Sequence, residues 1–230
     1  MSTINATDSL DYIELNPEQE ADACVIWLHG LGDSGEGFAG VPPYLGLPEE
    51  HRIRFIFPHA PERPVTINAG YIMRAWYDIK SLDLEGRAPL DEVLVSCEQV
   101  THLIEQQLAK GIPSERLLLA GFSQGGVITL HLAPRFKKPL AGVVALSTYL
   151  CQPELMATEQ APENSTLEVF FGHGSQDDVV PYIAGQHAVE TLTQNGHKVD
   201  FQTYPVAHTV SMEELEAVGK FIAERLPVLS

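Results

Sequence analysis

A serine with a glycine two residues away on either side is the first feature of the sequence that could do chemistry. It lies in the segment Gly121-Phe122-Ser123-Gln124-Gly125, after an apolar run at 116–122 and before a stretch of helical periodicity. At a sharp strand-to-helix turn the glycines let neighbouring backbone pass close by, and the hydroxyl is pushed out over the amino end of the helix. This arrangement is typical of a nucleophilic serine that attacks an acyl carbon.

A nucleophilic serine needs a base, and the base needs an acid that orients it. In α/β proteins of this kind the chain order is serine, acid, histidine. His208 follows the last apolar run, at 198–205, and we predict that it is the base. Asp177 and Asp178 both follow the run at 167–173. Spacing alone leaves the acid open between them, because either aspartate could simply cap the next helix.

The glycine-rich segment after the apolar run at 23–29 is predicted to complete an oxyanion site. The backbone N–H of Leu31, held between glycines, can point at the same spot as the N–H of Gln124. His29 is expected to fix this loop rather than to take part in the chemistry.

A dinucleotide site is the competing interpretation of the same segment. Gly30, Gly32 and Gly35 match the G-x-G-x-x-G pattern of NAD(P)-binding proteins. That pattern requires a helix that opens at the glycines and an acidic residue after the next strand. Glycines and prolines interrupt residues 37–43, and the next apolar run ends in Pro58-His59, so the context argues against a dinucleotide.

The elements that must position these residues alternate along the chain. Strand-like runs lie at 11–15, 23–29, 52–57, 116–122, 140–147, 167–173 and 198–205, and helical periodicity appears at 90–108, 124–133, 182–195 and 212–226. Runs that are apolar throughout are typical of strands covered on both faces, so we predict one α/β domain over residues 1–230 with a mostly parallel sheet. Ligands of such sheets bind at the carboxyl ends of the strands, where the candidate residues lie.

Residues 58–80 break this alternation and are predicted to form an irregular functional loop. The loop holds bulky apolar side chains, and Met73 and Trp76 are candidates for the wall of a substrate groove. The alternative is a satellite hydrophobic cluster that only covers the edge of the sheet.

The charge balance limits the classes of partner. The 230 residues contain 14 Lys and Arg against 31 Asp and Glu, for a net charge of −17. A surface this acidic repels phosphate backbones and anionic lipids, which excludes nucleic-acid binding and argues against stable membrane association.

Location and cofactors follow from what the sequence lacks. The first residues have no signal-peptide pattern, and the apolar runs are too short to span a membrane. Cys24, Cys97 and Cys151 are few and mostly have apolar neighbours, so we expect buried thiols and a cytoplasmic protein. The histidines are scattered without metal-ligand spacing, and we expect neither a metal nor a cofactor.

Five segments, in order, resemble the phospholipase/carboxylesterase family, which includes the acyl-protein thioesterases. They lie at 28–38, 57–78, 120–126, 173–181 and 207–215, and the resemblance spans about residues 10–226. It implies an α/β-hydrolase fold, serine-hydrolase chemistry and a nearly lidless acyl groove.

The resemblance also implies roles for individual residues. Ser123 resembles the nucleophile of the family, Asp177 its acid and His208 its base. The amides of Leu31 and Gln124 resemble its oxyanion donors, and the segment around Met73 and Trp76 resembles the wall of its acyl pocket.

The function expected from the sequence is a carboxylesterase that cleaves short-to-medium acyl esters through an acyl-serine intermediate. The alternatives are a thioesterase or lysophospholipase acting on long acyl chains, or an inactive binding protein with a hydrolase fold. The expected partner is a small ester or thioester substrate, and the expected state is a monomer or homodimer.

Overall fold

The computed structural model describes residues 4–81, 83 and 86–229, and a seven-stranded sheet forms its centre. The strands are β1 (Tyr12–Leu15), β2 (Ala23–Leu28), β3 (Ile53–Pro58), β4 (Glu62–Val65), β5 (Tyr71–Arg74), β6 (Leu117–Phe122), β7 (Gly142–Leu146), β8 (Glu168–Gly174) and β9 (Lys198–Tyr204). The helices are α1 (Gly35–Ala39), α2 (Leu90–Ala109), α3 (Gln124–Leu132), α4 (Met156–Glu159), α5 (Tyr182–Gln194) and α6 (Met212–Arg225).

The strand order of the central sheet is β1-β3-β2-β6-β7-β8-β9. All neighbours are parallel except β1, which pairs antiparallel with β3. This architecture confirms the predicted α/β-hydrolase fold.

Both faces of the sheet are covered, as the continuous apolar runs predicted. Every residue of β2 is buried, and alternate side chains enter two different hydrophobic clusters. Helices α2, α3 and α5 pack on one face, here called the three-helix face. Helices α1 and α6 pack on the other, here called the two-helix face.

The order in which strands are added to the sheet reverses between β2 and β6. From β2 it moves to β3 on one side, and β6 to β9 are then added in order on the other side. The loops after β2 and β6 therefore leave a crevice at the carboxyl edge, which is where open α/β sheets bind ligands.

The predicted irregular loop at 58–80 is wrong in its central part. Strands β4 and β5 form a separate antiparallel hairpin, in which Glu62 pairs with Arg74 and Val65 with Tyr71. Each strand has four residues, and Pro64 lies within β4. Such short strands with proline carry little period-two signal, so the alternation of the sequence did not reveal them.

The thiols of all three cysteines are free and buried, as expected. None of the helices in the described part of the chain is both long and apolar enough to cross a bilayer.

Candidate active site

Ser123 lies at the junction of β6 and α3 in a strained backbone conformation. Its φ of 53° and ψ of −118° are unusual for a residue with a side chain. The Ser123 N–H donates to the carbonyl of Leu146 at 2.8 Å, and the Thr148 hydroxyl donates to the Ser123 carbonyl at 2.7 Å. Strain of this kind costs about 1–3 kcal/mol and persists only where surrounding contacts hold it, as those of β7 do here.

The flanking glycines are required by close packing. A methyl group on Gly125 would lie 2.5 Å from the carbonyl oxygen of Leu28, and one on Gly121 would lie 2.5 Å from the Gly125 backbone. The first turn of α3 therefore packs directly on the end of β2. This contact places Ser123 beside the loop that follows β2.

The structure brings Ser123, His208 and Asp177 together in one hydrogen-bonded chain. Oγ of Ser123 is 2.9 Å from Nε2 of His208, and Nδ1 of His208 is 2.7 Å from Oδ2 of Asp177. An ionised carboxylate can only accept, so Nδ1 carries the imidazole proton and Nε2 is free to accept from the serine. Asp178 is exposed and lies outside this chain of contacts.

The surroundings of Asp177 keep its carboxyl ionised. Burial alone would raise its pKa, but the hydrogen bonds from His208 and from the N–H groups of Val180 and Val179 outweigh burial and lower it. The two backbone bonds, of 2.8 and 2.9 Å, both go to Oδ1 and leave Oδ2 for the imidazole. Buried His173, which the sequence did not single out, contacts the Val180 carbonyl through Nε2 at 2.9 Å and supports the same loop.

Leu31 and Gln124 both border the cavity beside Ser123. Within the described residues, no hydrogen bond engages the backbone N–H of either one. Two such donors next to a nucleophilic hydroxyl can bind an oxyanion.

His29 and the hairpin hold the loop that presents Leu31. Ala60 N–H donates to Nε2 of His29 at 3.0 Å, so its Nδ1 carries the proton and donates to the Gly30 carbonyl at 2.7 Å. The Gly32 N–H donates to the carbonyl of Arg74, in β5, at 2.8 Å. Burial lowers the pKa of His29, in keeping with a neutral ring that fixes the loop.

Neither Met73 nor Trp76 is among the residues that line the cavity beside Ser123. Trp76 is fully buried, its indole N–H donates to the His29 carbonyl at 2.9 Å, and its backbone N–H donates to Oε1 of Gln124 at 2.7 Å. Sδ of Met73 accepts from the Asn68 amide at 3.3 Å within the hairpin. Trp76 therefore connects the loop after β2, which carries Leu31, to Gln124 at the start of α3.

The cavity beside Ser123 and His208 has a volume of about 460 Å³. Side chains from both faces of the sheet line it. Those on the three-helix face are Tyr77, Ile79, Tyr149 and Val180, and those on the two-helix face are Phe38, Val41, Phe122, Val210 and Leu215. Most of them were not found from the sequence because they come from separate loops, helices and strand ends that are far apart in the chain.

The first glycine of the G-x-G-x-x-G pattern, Gly30, lines this same cavity beside Ser123. A helix does begin at Gly35, contrary to the expectation from the sequence, but α1 has only five residues. Among the residues described, no group of three or more His, Cys, Asp or Glu side chains is arranged to hold a metal ion.

The family model for phospholipases and carboxylesterases matches residues 13–226 of this chain. The acyl-protein thioesterase 1 of Neurospora crassa is 39% identical over 215 residues, which cover 89% of this chain and 87% of that protein. A probable carboxylesterase of Oryza sativa subsp. japonica is 35% identical over 205 residues, covering 88% and 77%.

Solved structures give the same result. SOBER1 of Arabidopsis thaliana superimposes with a TM-score of 0.83 at 31% identity, covering 89% of this chain and 99% of that one. Acyl-protein thioesterase 2 of Zea mays gives 0.82 at 30% identity, covering 94% and 99%. The fold is thus that of the α/β hydrolases. The chain belongs to the phospholipase/carboxylesterase family.

Proposed function

We propose that this protein is a serine hydrolase that cleaves acyl esters and thioesters through an acyl-Ser123 intermediate. The observation that carries the proposal is the unbroken hydrogen-bonded chain from Ser123 through His208 to the ionised Asp177, at 2.9 and 2.7 Å. The Ser123 end of this hydrogen-bonded chain faces a cavity that is bordered by the two free backbone N–H groups of Leu31 and Gln124.

In the acylation step Nε2 of His208 takes the proton of Ser123 while Oγ attacks the acyl carbon. The carbonyl oxygen becomes an oxyanion, which the N–H groups of Leu31 and Gln124 stabilise. Collapse of this intermediate breaks the bond to the leaving group, and His208 returns the proton to it. In deacylation His208 takes a proton from water while the water oxygen attacks the acyl carbon. The bond between the acyl carbon and Oγ then breaks, His208 returns the proton to Ser123, and the carboxylic acid is released.

Among leaving groups, the names of the relatives favour a thiol over an alcohol. Several proteins that are 35–39% identical to this chain, from Neurospora crassa, Cryptococcus neoformans and Mycosarcoma maydis, are called acyl-protein thioesterases. A thiol leaves with less help from the general acid, so the same three residues serve both reactions. Long-chain acyl thioesters are therefore the first candidate substrates, and short-to-medium carboxylic esters are the second.

A fluorophosphonate probe tests the nucleophile and also separates an enzyme from an inactive binding protein. We expect stoichiometric labelling at Ser123. Ser123→Ala should abolish labelling and lower kcat by roughly 10⁵- to 10⁶-fold, because members of a catalytic triad act as a unit. Thr193→Ala, which removes an exposed hydroxyl on α5 away from the cavity, is the matched control. More than a few per cent residual activity in folded Ser123→Ala would refute the proposal.

The acyl group and the leaving group are chosen by a substrate series. Esters and thioesters with acyl chains from two to sixteen carbons are compared by kcat/KM. Each methylene that the apolar walls bury contributes up to about 0.8 kcal/mol, so kcat/KM should rise by a few-fold per methylene until the walls end. A higher kcat/KM for long thioesters than for esters of equal length would identify the thioesterase, and the reverse order would identify the carboxylesterase.

A further inference from the structure

Arg87 is a buried cation in the wall of the catalytic cavity. Its exposed fraction is 6%, and it lines the cavity beside Tyr149 and Val179. One guanidinium nitrogen, Nη1, donates to the Val179 carbonyl at 3.0 Å, and Cζ lies 5.6 Å from the centre of the Tyr149 ring.

Among the described residues, Arg87 has no carboxylate within ion-pair distance, and its Nε–H has no acceptor. Arg63, which is similarly buried at 9% exposure, is paired with Glu92 at 2.7 Å. The chain carries 31 acidic side chains, so the lack of a carboxylate beside Arg87 does not reflect a shortage of acidic residues. Buried arginines are rarely left unpaired, and a buried donor without an acceptor costs about 1–3 kcal/mol.

We propose that Arg87 binds a carboxylate carried by the substrate, and so makes the enzyme selective for esters or thioesters with an anionic end. This inference rests on the proposed function. The carboxylate belongs either to the acyl group, as in a monoester of a dicarboxylic acid, or to the leaving group.

The donors left over in this wall match such an anion. With Nη1 engaged by Val179 and Nε buried, Nη2 is the guanidinium donor left for an anion in the cavity, where a charge-assisted hydrogen bond to one carboxylate oxygen can form. The hydroxyls of Tyr77 and Tyr149 are 2.8 Å apart, and only one of the two protons is used between them. Burial raises the pKa of Tyr149 to about 12, so its hydroxyl remains protonated at neutral pH.

The net charge of −17 does not oppose this selectivity at close range. Repulsion between solvated charges is screened over about 8 Å at physiological ionic strength, whereas a contact inside the cavity is screened much less. The acidic surface slows the approach of large anionic aggregates, and the single buried cation acts only on a small molecule that has already entered.

The test compares matched pairs of charged and neutral substrates. In the acyl arm, the mono-p-nitrophenyl esters of adipic, pimelic and suberic acid are set beside the hexanoate, heptanoate and octanoate. In the leaving-group arm, the butyryl thioester of 3-mercaptopropionate is set beside that of propanethiol. The measured quantity is the ratio of kcat/KM for the charged member to that for the neutral member. Wild type, Arg87→Gln, Arg87→Lys and the exposed control Lys198→Gln are assayed.

We expect wild type and Lys198→Gln to prefer the charged member in one arm, which also identifies where the carboxylate is carried. In Arg87→Gln the ratio in that arm should fall by roughly 10- to 100-fold, as for loss of a hydrogen-bonded charge pair. Arg87→Lys, which keeps the charge but not the guanidinium, should retain part of the preference. An Arg87 that only supports the Val179 loop would lower both members equally and leave the ratio unchanged.

Two results would overturn the inference: a wild type that prefers the neutral member throughout both arms, or a ratio unaltered in Arg87→Gln. The first needs no variant, so it decides the matter even if Arg87→Gln does not fold. Failure of the serine-hydrolase proposal is distinct, because then neither member of any pair is hydrolysed and no fluorophosphonate label is found.

Discussion

Asp177 and Asp178 are neighbours in the chain, yet only one of them can orient an imidazole. Asp177 is buried and accepts from His208 and from the two backbone N–H groups of Val179 and Val180, whereas Asp178 is exposed. The two carboxyl groups are chemically identical and differ only because the side chain of Asp177 points into the protein, toward His208.

Replacing each aspartate by asparagine should separate them. Asp177→Asn should lower kcat by about 10⁴-fold, because an amide in this place favours the wrong imidazole tautomer. Asp178→Asn is the matched control and should change kcat by no more than a few-fold. The measurement is kcat with a p-nitrophenyl ester, and a larger loss in Asp178→Asn would assign the acid to Asp178.

The pKa of Asp177 also fixes how its contribution to stability depends on pH. Since this pKa is lower in the folded protein than in the unfolded chain, the carboxylate stabilises the fold above the ordinary pKa of an aspartate. The contribution is lost as the pH falls through the lowered value. Asp177→Asn should therefore show a shallower loss of stability on acidification below about pH 4 than Asp178→Asn.

Among the elements, the segment that follows the hairpin holds the two parts of the chain that carry the proposed oxyanion donors, Leu31 and Gln124. Trp76 bonds the carbonyl of His29 through its indole and the side chain of Gln124 through its backbone. Gly32, in the loop that follows β2, donates its N–H to the carbonyl of Arg74 at the end of β5. Both proposed oxyanion donors are thus held by residues that do not themselves line the cavity.

Trp76→Phe removes the indole donor and keeps most of the buried ring. We expect kcat/KM to fall by roughly 10- to 100-fold, because small displacements of a catalytic group are costly. The loss of kcat/KM should be the same for acetyl and octanoyl esters, since Trp76 is not among the residues that line the cavity. Tyr71→Ser, at the 72% exposed position of the hairpin, is the control and should leave the rate unchanged. A loss that grew with chain length would return Trp76 to the acyl groove.

Helix α6 carries a buried carboxyl with the opposite response to pH. Ser211 and Glu214 form a capping box at its first turn, and burial raises the pKa of Glu214 from 4.5 to about 7. The folded protein therefore binds more protons than the unfolded chain between these values. Its free energy of unfolding falls as the pH rises from about 4.5 to about 7, by about 3 kcal/mol for this group, and stays lowered above.

Glu214→Gln should remove this dependence while its amide oxygen still accepts from the Ser211 N–H. Its Tm should exceed that of wild type by roughly 5–10 °C at pH 8, and the difference should vanish near pH 4. Glu213→Gln, one residue earlier and exposed, is the matched control and should follow wild type at both pH values. A gain that is equal at both pH values would show that Glu214 is not the titrating group.

At the scale of the whole molecule, the net charge of −17 produces an electrostatic field that acts over longer distances than any single contact. The cavity opens at the carboxyl edge of the sheet, so a substrate embedded in a lipid surface must bring that surface close to the protein. An anionic surface is repelled, whereas a soluble ester diffuses in freely.

Hydrolysis of a long-chain ester dispersed in phosphatidylcholine vesicles should therefore slow when phosphatidylserine is added. Salt should reverse the effect, because the screening length falls from about 30 Å at 0.01 M to about 3 Å at 1 M. Rates are measured across this range, with soluble p-nitrophenyl butyrate as the control. Faster hydrolysis on the anionic vesicles at low salt would contradict the prediction.

Patterns that are local in the chain could be predicted from the sequence, and features set by packing could not. The strands, the long helices and the serine turn carry periodicity or glycine spacing of their own. The hairpin has four-residue strands with no such signal. The roles of Trp76 and Arg87 depend on which loops meet in space. The residue pattern does not show that the side chain of Asp177, rather than that of Asp178, points into the protein.

The strained turn at Ser123 has a consequence for the order in which the protein folds. Its backbone is held by Leu146 and Thr148 from the β7 side, and its first helical turn packs on Leu28 at the end of β2. Leu28 and Ser123 are separated by about two fifths of the sequence, so closing the chain between them is slow and entropically costly. The contacts that hold the Ser123 turn exist only when β2, β6 and β7 are paired. If Ser123 is the proposed nucleophile, a newly made chain should therefore be unreactive toward esters until these three strands have come together.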